Sequence, residues 1–343
     1  MPDMKIFMER MMAFAPESRK ANHIFDDAPR YDEAEVVRLA RLMDSYGKED
    51  DAAKRAAIAG EFAALRDAMR PRADAPERVY LWPEDKPLPQ TTVYTENPDG
   101  RYNNAPDFRP YFLEMLLPAD VTPKGAVVCI PGGDQGFCTV YEAYQVCKEF
   151  NARGYQAFIL HNRVNHNPWT EQESGVDTAR ALRIIRRDAA KYRIDPKRVA
   201  VAGFSNGGLT GDNCIRYFSG AQKVADHFPG YVADELDAFY GAPDAFLCVY
   251  GPRFVGSEFD FTGVVYPPTF FAVGREDMAF KNLNYVYPIL VEHGAQVEVH
   301  TFAGVPHGVA GQSILQGKSP YPLFDLWYDL ADAFMQDAYG KVE

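Results

Sequence analysis

The run Val199-Ala200-Val201-Ala202-Gly203-Phe204-Ser205-Asn206-Gly207-Gly208 decides the fold of this chain. It begins as a short apolar stretch typical of a buried strand, and helix-compatible residues follow its last glycine. A Gly-x-Ser-x-Gly pattern between a strand and a helix predicts a tight turn that lifts the serine hydroxyl above the end of a sheet. The bare pattern often arises by chance, but these flanks and the third glycine make Ser205 a candidate nucleophile. A glycine-rich helix start with Ser205 as its cap is the alternative.

A serine nucleophile needs a base and a carboxylate that orients the base. The histidines that follow Ser205 are His227, His293, His300 and His307. We favour His307, because its Gly and Pro neighbours place it in a turn directly after a predicted strand, where catalytic groups gather. Asp277 follows the preceding strand and is the preferred acid. Its neighbour Glu276 is expected to be solvated, and Asp260 is a third candidate.

A second glycine-rich turn, Pro131-Gly132-Gly133-Asp134-Gln135-Gly136, follows the first strongly apolar strand. No Gly-Lys-Ser/Thr comes after it, which argues against a nucleotide-binding loop. Above a serine turn, such a segment can supply backbone amides that stabilise a developing oxyanion. We predict Gly133, Asp134 and Asn206 as the amide donors. If the Asp134 carboxylate pointed inward it would repel the oxyanion, so we expect it to point away or to contact substrate.

From Gly125 onward, strands and helices alternate. The predicted strands are Ala126–Ile130, Gln156–Leu160, Val199–Ala202, Ala245–Tyr250, Thr269–Val273 and Gln296–Thr301. The predicted helices are Tyr141–Arg153, Val176–Tyr192, Lys281–His293 and Pro322–Ala338. Alternation of this kind implies right-handed crossovers and a mostly parallel sheet. Together with the order serine, acid, histidine, it predicts the α/β-hydrolase fold with a mostly parallel central sheet and helices on both faces.

The region before this domain is interpreted as an N-terminal helical extension, residues 1–75, followed by the catalytic domain, residues 76–343. Apolar residues recur at helical spacing from about 32 to 70. The resulting stripes need a partner, which is either the main domain, a second subunit in a homo-oligomer, or the substrate as part of a lid. Three further strand candidates follow this region: Val79–Trp82, Thr91–Thr95 and Tyr111–Leu117.

Composition narrows the class of protein. The chain has 343 residues, 47% of them apolar, and a net charge of −12. The charge argues against a surface that binds nucleic acid or an anionic membrane. The first 22 residues lack the continuous apolar stretch of a secretory signal, so we expect a cytoplasmic protein unless a signal has been trimmed. The five scattered cysteines predict neither a disulfide framework nor a zinc site.

Several segments together resemble the esterase family of the hormone-sensitive-lipase and acetylxylan-esterase type. They are Leu81-Trp82-Pro83, Pro131-Gly132-Gly133, Phe150–Tyr155, Asp177 with Arg180-Ala181-Leu182, Tyr192–Pro196, Asp234–Asp237 and Pro306-His307-Gly308. The resemblance covers roughly residues 79 to 335. It implies hydrolysis of short acyl esters through an acyl-enzyme, without a metal or other cofactor. The chain departs from the family at Pro131, Asp134 and Asn206, which puts the substrate in doubt more than the chemistry.

The substrate pocket is expected to include Gln135, Phe137, Tyr141, His166 and Trp169, although core packing is an equal reading for the aromatic ones. His161 and His166 lack acidic or cysteine partners, so no metal site is predicted. The sequence therefore predicts a serine carboxylesterase that acts on a small-molecule ester, with acetyl as the expected acyl group and a carbohydrate or plant-derived compound as one expected source. An exopeptidase or amidase of the same fold, and a non-catalytic binding protein on that fold, are the alternatives.

Overall fold

Within residues 4–97, 100–133, 135–165 and 168–340, which the computed structural model describes, eight strands form one sheet. The strands are β1 (Val79–Tyr80), β2 (Tyr111–Met115), β3 (Ala126–Ile130), β4 (Gln156–His161), β5 (Val199–Phe204), β6 (Ala245–Val249), β7 (Thr269–Gly274) and β8 (Val297–Phe302). Their order across the sheet is β1-β2-β4-β3-β5-β6-β7-β8. The first two strands are antiparallel to their neighbours, and all pairs from β4 to β8 are parallel.

The register brings the carboxyl ends of the parallel strands to one edge. Ile130 pairs with Gly203, and Gly274 pairs with Phe302. The turns after β3, β5, β6, β7 and β8 therefore begin side by side. In open parallel sheets this is the edge where ligands bind.

Helices cover both faces of the sheet. They are α1 (Met4–Ser18), α2 (Asn22–Asp26), α3 (Glu33–Lys48), α4 (Ala52–Ala68), α5 (Phe137–Thr139), α6 (Val146–Ala152), α7 (Glu171–Arg187), α8 (Ala189–Tyr192), α9 (Asn206–Phe218), α10 (Val224–His227), α11 (Ala279–Glu292), α12 (Ser313–Gln316) and α13 (Trp327–Gly340). A π-helical segment, Val140–Gln145, joins α5 to α6. The core strands β3 to β7 are buried along their whole length, as a sheet covered on both faces requires.

The predicted α/β-hydrolase fold is confirmed, and most predicted elements differ from the observed ones only at their ends. The exception is Thr91–Thr95, which forms no strand. The backbone amide and the hydroxyl of Thr91 both donate to Glu173 Oε1, at 2.5 and 2.9 Å, so this segment bonds to a side chain rather than to a neighbouring strand. The last helix begins at Trp327 rather than at Pro322, after a turn and a short 3₁₀ segment.

The N-terminal helices pack against the sheet domain. Each of these helices adds apolar side chains that are almost completely buried to the same hydrophobic core as the strands. They are Ile24 and Phe25 of α2, Leu39 of α3 and Phe62 of α4. The Phe25 ring meets the edge of Phe137 with centroids 5.6 Å apart. The apolar stripes predicted from the sequence are thus buried against the sheet domain of the same chain. A homo-oligomer through these helices, and a domain boundary at residue 75, stay predictions.

Candidate active site

Ser205 lies at a strained turn between β5 and α9. Its backbone has φ 50° and ψ −117°, values that an L-residue adopts only when its surroundings impose them. A Cβ on Gly203 would lie 2.3 Å from the Gly207 carbonyl oxygen, and one on Gly207 would lie 2.0 Å from the Ile130 carbonyl oxygen. Only glycine fits both positions. The turn and helix start predicted from the sequence are therefore present, with Ser205 at the apex.

His307 and Asp277 complete a chain of hydrogen bonds that starts at Ser205. The Ser205 Oγ lies 2.8 Å from His307 Nε2, and His307 Nδ1 lies 2.9 and 2.8 Å from the two oxygens of Asp277. Because a carboxylate only accepts hydrogen bonds, Nδ1 carries the proton and Nε2 is left to accept from the serine hydroxyl. The structure thus brings together the serine, the base and the acid that the sequence singled out.

Asp277 is fixed as well as buried. Its side chain is completely shielded from solvent, and its Oδ1 accepts a hydrogen bond of 2.7 Å from the Ala279 amide at the start of α11. The neighbouring Glu276 is exposed, as expected. Asp260 is exposed too and accepts from the Thr262 amide. Of the three candidate acids, Asp277 is the one that contacts the imidazole.

The electrostatics around His307 favour its protonated form. Burial opposes the charge on the imidazole, but the hydrogen bond and the charge of Asp277, with a further contribution from the charge of Glu142, outweigh that cost. The pKa of His307 therefore lies above its ordinary value. An imidazole with a raised pKa is a stronger base toward a serine hydroxyl.

The glycine-rich turn lies directly above Ser205. Gly133 adopts φ 57° and lines a cavity together with Ser205. The Asn206 side chain donates from Nδ2 to the Gly133 carbonyl oxygen at 3.0 Å and so ties this turn to the start of α9. The first amides of a helix have no acceptor within the helix and carry its positive end, so the backbone of Asn206 suits an oxyanion. Asp134 lies outside the described residues.

Two cavities meet at Ser205 and His307. The larger, of about 450 Å³, is lined by Phe137, Tyr141 and Gln312 among others. Helices of the N-terminal extension supply a further part of its wall, through Phe7, Asp44 and Lys48.

The smaller cavity, of about 210 Å³, shares Ser205 and His307 with the larger one, and its other lining residues are different. It is bounded by Asn206, Leu209, Tyr250, Phe254 and Met278. Its wall is mostly apolar.

Two of the predicted pocket residues lie elsewhere. Gln135 is buried and directed away from both cavities: its amide donates to the Asn162 carbonyl at 2.8 Å, and its oxygen faces His161 Nδ1 at 3.0 Å. Trp169 is buried against Tyr94 and lines neither cavity. The Gln135 side chain is thus occupied by hydrogen bonds, and the Trp169 ring packs against Tyr94. His166 lies outside the described residues.

The sequence pattern did not point to Glu142 or to the extension residues of the cavity wall. Glu142 lies in the π-helical segment and is buried beneath the glycine-rich turn. Burial raises its pKa, although hydrogen bonds from the Gly132 amide and the Tyr250 hydroxyl act in the opposite direction. The one available signal was an isolated acid within the apolar stretch Val140-Tyr141-Glu142-Ala143-Tyr144.

Neither a metal centre nor a membrane span is evident in the part of the chain that the structure describes. There, no three His, Cys, Asp or Glu side chains gather in a group that could hold a metal ion. None of its helices is both long enough and apolar enough to cross a bilayer.

The sheet order and the turn at Ser205 define the α/β-hydrolase fold, and the Ser-His-Asp arrangement lies where that fold carries its active site. Residues 113–212 match the family model BD-FAE, an α/β-hydrolase esterase family. This match runs from β2 into α9 and includes the glycine-rich turn and Ser205, but not Asp277 or His307. The predicted resemblance to esterases of this fold is confirmed.

Two curated relatives share part of the chain. Endo-1,4-beta-xylanase B of Butyrivibrio fibrisolvens is 30% identical over 160 residues, which are 46% of this chain and 24% of the relative. An acetylxylan esterase of Xylanibacter ruminicola is 33% identical over 97 residues, or 28% of this chain and 20% of the relative. The aligned part therefore spans about a quarter or less of each relative's length.

Solved structures match over a larger part of the chain. An acetyl ester-xyloside bifunctional hydrolase from Caldicellulosiruptor lactoaceticus has a TM-score of 0.53 and 22% identity, covering 76% of this chain and 96% of its own. Thermogutta terrifontis esterase 2, solved as its paraoxon-phosphorylated form, has a TM-score of 0.54 and 19% identity, with coverages of 78% and 95%. At this identity the likeness shows the fold.

Proposed function

We propose that this protein is a serine carboxylesterase that hydrolyses short-chain acyl esters, with acetyl as the preferred acyl group. The observation that carries the proposal is the hydrogen-bonded series Ser205, His307 and Asp277, with distances of 2.8 Å at each step. Its position beside a glycine-rich turn and a helix start adds donors for an oxyanion. The BD-FAE match and the partial identity to an acetylxylan esterase support an ester, and a carbohydrate alcohol, as the substrate class.

The proposed reaction begins at the Ser205 hydroxyl. His307 Nε2 takes the proton of the Ser205 hydroxyl as Oγ attacks the ester carbonyl carbon, and Asp277 stabilises the imidazolium that forms. In this proposal the amides of Gly133 and Asn206 stabilise the negative oxygen of the tetrahedral intermediate. The imidazolium then protonates the leaving alcohol. A water molecule, activated by the same imidazole, releases the acid from Ser205.

The two cavities suggest how the substrate is divided. The smaller one, about 210 Å³ and bounded by Leu209, Phe254 and Met278, suits a short apolar acyl group. The larger one, about 450 Å³, has aromatic rings with Gln312 and the charged pair of Asp44 and Lys48 on its wall, and it suits a polar alcohol. This division predicts a decline in rate as the acyl chain lengthens.

The test is hydrolysis of 4-nitrophenyl esters from acetate to octanoate by the wild type and by Ser205→Ala. Ser45→Ala, at an exposed serine of α3 that lines neither of these cavities, is the matched control. We expect about a 10⁴-fold or greater loss of kcat for Ser205→Ala and none for the control. Folded Ser205→Ala protein that keeps most of its activity would contradict the proposal. Faster turnover of amino-acid 4-nitroanilides than of acetate would favour an amidase, and no turnover of either would favour a binding protein.

A further inference from the structure

Glu142 is a buried carboxylate that the reaction above does not use. Its Oε2 accepts a hydrogen bond of 2.6 Å from the Gly132 amide, and its Oε1 accepts one of 2.8 Å from the Tyr250 hydroxyl. Since both partners are donors, the side chain acts purely as an acceptor in this arrangement. It belongs to the π-helical segment Val140–Gln145, a type of helix distortion that is frequent at functional sites.

The contact between Glu142 and Gly132 restrains the backbone next to Gly133, the residue whose amide is the proposed oxyanion donor. A Cβ on Gly132 would lie 2.8 Å from Glu142 Oε2 and 2.8 Å from the Ser205 Cβ, so Gly132 fits closely between the carboxylate and the nucleophile. The Gly133 carbonyl is held by the Asn206 side chain on the far side. The Gly133 N–H belongs to the peptide between these two restraints. Glu142 therefore fixes one side of the peptide that presents this N–H, and Asn206 fixes the other.

The contact at Tyr250 extends the same restraint to the base. The Tyr250 ring meets the His307 ring edge-on, with centroids 5.0 Å apart. Its hydroxyl also accepts from the Ala310 amide at 3.3 Å, in the segment that follows His307. Tyr250 adopts φ 40°, a left-handed conformation that a bulky residue keeps only when its contacts enforce it. Glu142 and Tyr250 thus link the glycine-rich turn to the base through two buried side chains.

We propose that Glu142 and Tyr250 form a positioning pair that holds the oxyanion amide of Gly133 and the imidazole of His307 in register with Ser205. The inference rests on the proposed ester hydrolysis at this site. Neither side chain takes or gives a proton to substrate. Their effect is on kcat, because an amide that is aimed at the developing oxyanion acts in the transition state more than in substrate binding.

Three variants separate position from charge. In Glu142→Gln, the carboxamide oxygen can still accept from the Gly132 amide while its NH₂ donates to the Tyr250 oxygen, so both contacts survive without the charge. In Glu142→Ala both contacts are lost, and in Tyr250→Phe only the link to the base is lost. Glu149→Ala is the matched control, since Glu149 lies further along the same helical stretch and forms a partly exposed ion pair with Arg153.

The assay is kcat and KM for 4-nitrophenyl acetate, with active sites counted by titration with a fluorophosphonate and folding followed by melting temperature. We expect Glu142→Ala to lose about 10²- to 10³-fold in kcat, the range for removing one oxyanion donor, with KM changed by less than about 3-fold. Glu142→Gln should stay within about 10-fold of the wild type, and Tyr250→Phe should lie between the two. A residue that only stabilised the fold would lower the melting temperature and leave kcat per titrated site unchanged.

The outcomes distinguish the pair from the proposed function. A wild type that does not hydrolyse the ester refutes the function. An active wild type whose Glu142→Ala variant keeps kcat per site within about 3-fold refutes the positioning pair, and so does a Glu142→Gln variant as impaired as Glu142→Ala. If Glu142→Ala does not fold, the decision passes to Tyr250→Phe, where kcat unchanged per site is the refuting result.

Discussion

Replacing Asp277 by asparagine changes one carboxylate oxygen into an NH₂ group and leaves the shape of the side chain intact. In the structure, Oδ1 accepts from the Ala279 amide at 2.7 Å, while both oxygens lie within 2.9 Å of His307 Nδ1. An asparagine must present its oxygen to the Ala279 amide, because two N–H groups cannot face each other there. Its NH₂ then faces Nδ1.

The consequence is the wrong tautomer of the base. An NH₂ group that faces Nδ1 favours an imidazole with its proton on Nε2, which cannot accept the proton of Ser205. A loss of about 10⁴-fold in kcat is typical when a triad aspartate is changed in this way, equivalent to about 5.4 kcal/mol of transition-state stabilisation. KM should change little, since Asp277 is fully buried and lines neither of the described cavities.

The measurement is the rate of 4-nitrophenyl acetate hydrolysis at neutral pH, with Glu276→Gln as the control. Glu276 is the adjacent carboxylate, is exposed, and carries the same change of charge when substituted. We expect the control to match the wild type. An Asp277→Asn enzyme within about 10-fold of the wild type would refute the assignment of Asp277 as the residue that orients the base.

Three further predictions concern the base, the turn at Ser205 and the N-terminal extension. The pKa of His307 is raised above its ordinary value of 6.5, and only the neutral imidazole can accept the Ser205 proton. A plot of kcat/KM against pH should therefore fall on the acid side with a midpoint above 6.5. A midpoint at or below 6.5 would contradict the raised pKa. Asn206→Ala removes the 3.0 Å hydrogen bond to Gly133 and should lower kcat about 3- to 10-fold in steady-state assays, whereas an unchanged rate would mean that this contact does not aim the turn. Asp26, at the end of α2, accepts hydrogen bonds from the buried Gly136 amide and the Thr139 hydroxyl. Asp26→Ala leaves both donors without this acceptor, so the free energy of unfolding in urea should fall by about 3 kcal/mol. A loss below about 1 kcal/mol would mean that Asp26 does not anchor the N-terminal extension to the segment after the glycine-rich turn.

The sequence was most informative where local pattern and tertiary setting agree. Strand β3 was predicted with both ends correct, because five consecutive apolar residues bounded by glycine and proline are typical of a strand buried on both faces. Helix α1 was not predicted, since its pattern mixes charges with apolar residues and contains Pro16. The prediction of a strand at Thr91–Thr95 was wrong, because β-branched residues favour a strand only where a neighbouring strand is available.

The same division holds at the site. Ser205, Asp277 and His307 follow strand ends in the chain order of the fold, so each could be assigned from its place in the sequence. Glu142 could not, because its role depends on a π-helical segment and on Tyr250, which lies far along the chain. The contribution of Lys48 and other extension residues to the larger cavity likewise depends on how α1 and α3 pack, which spacing does not reveal.

The most direct test of the account is covalent labelling of the nucleophile. The wild type is incubated with a fluorophosphonate, and intact mass and peptide mapping are compared with residual ester hydrolysis. We predict one label per chain on the peptide that contains Ser205, a loss of activity in proportion to labelling, and no label on Ser205→Ala. A label on another residue, or full ester hydrolysis by completely labelled protein, would contradict the central claim that Ser205 is the nucleophile.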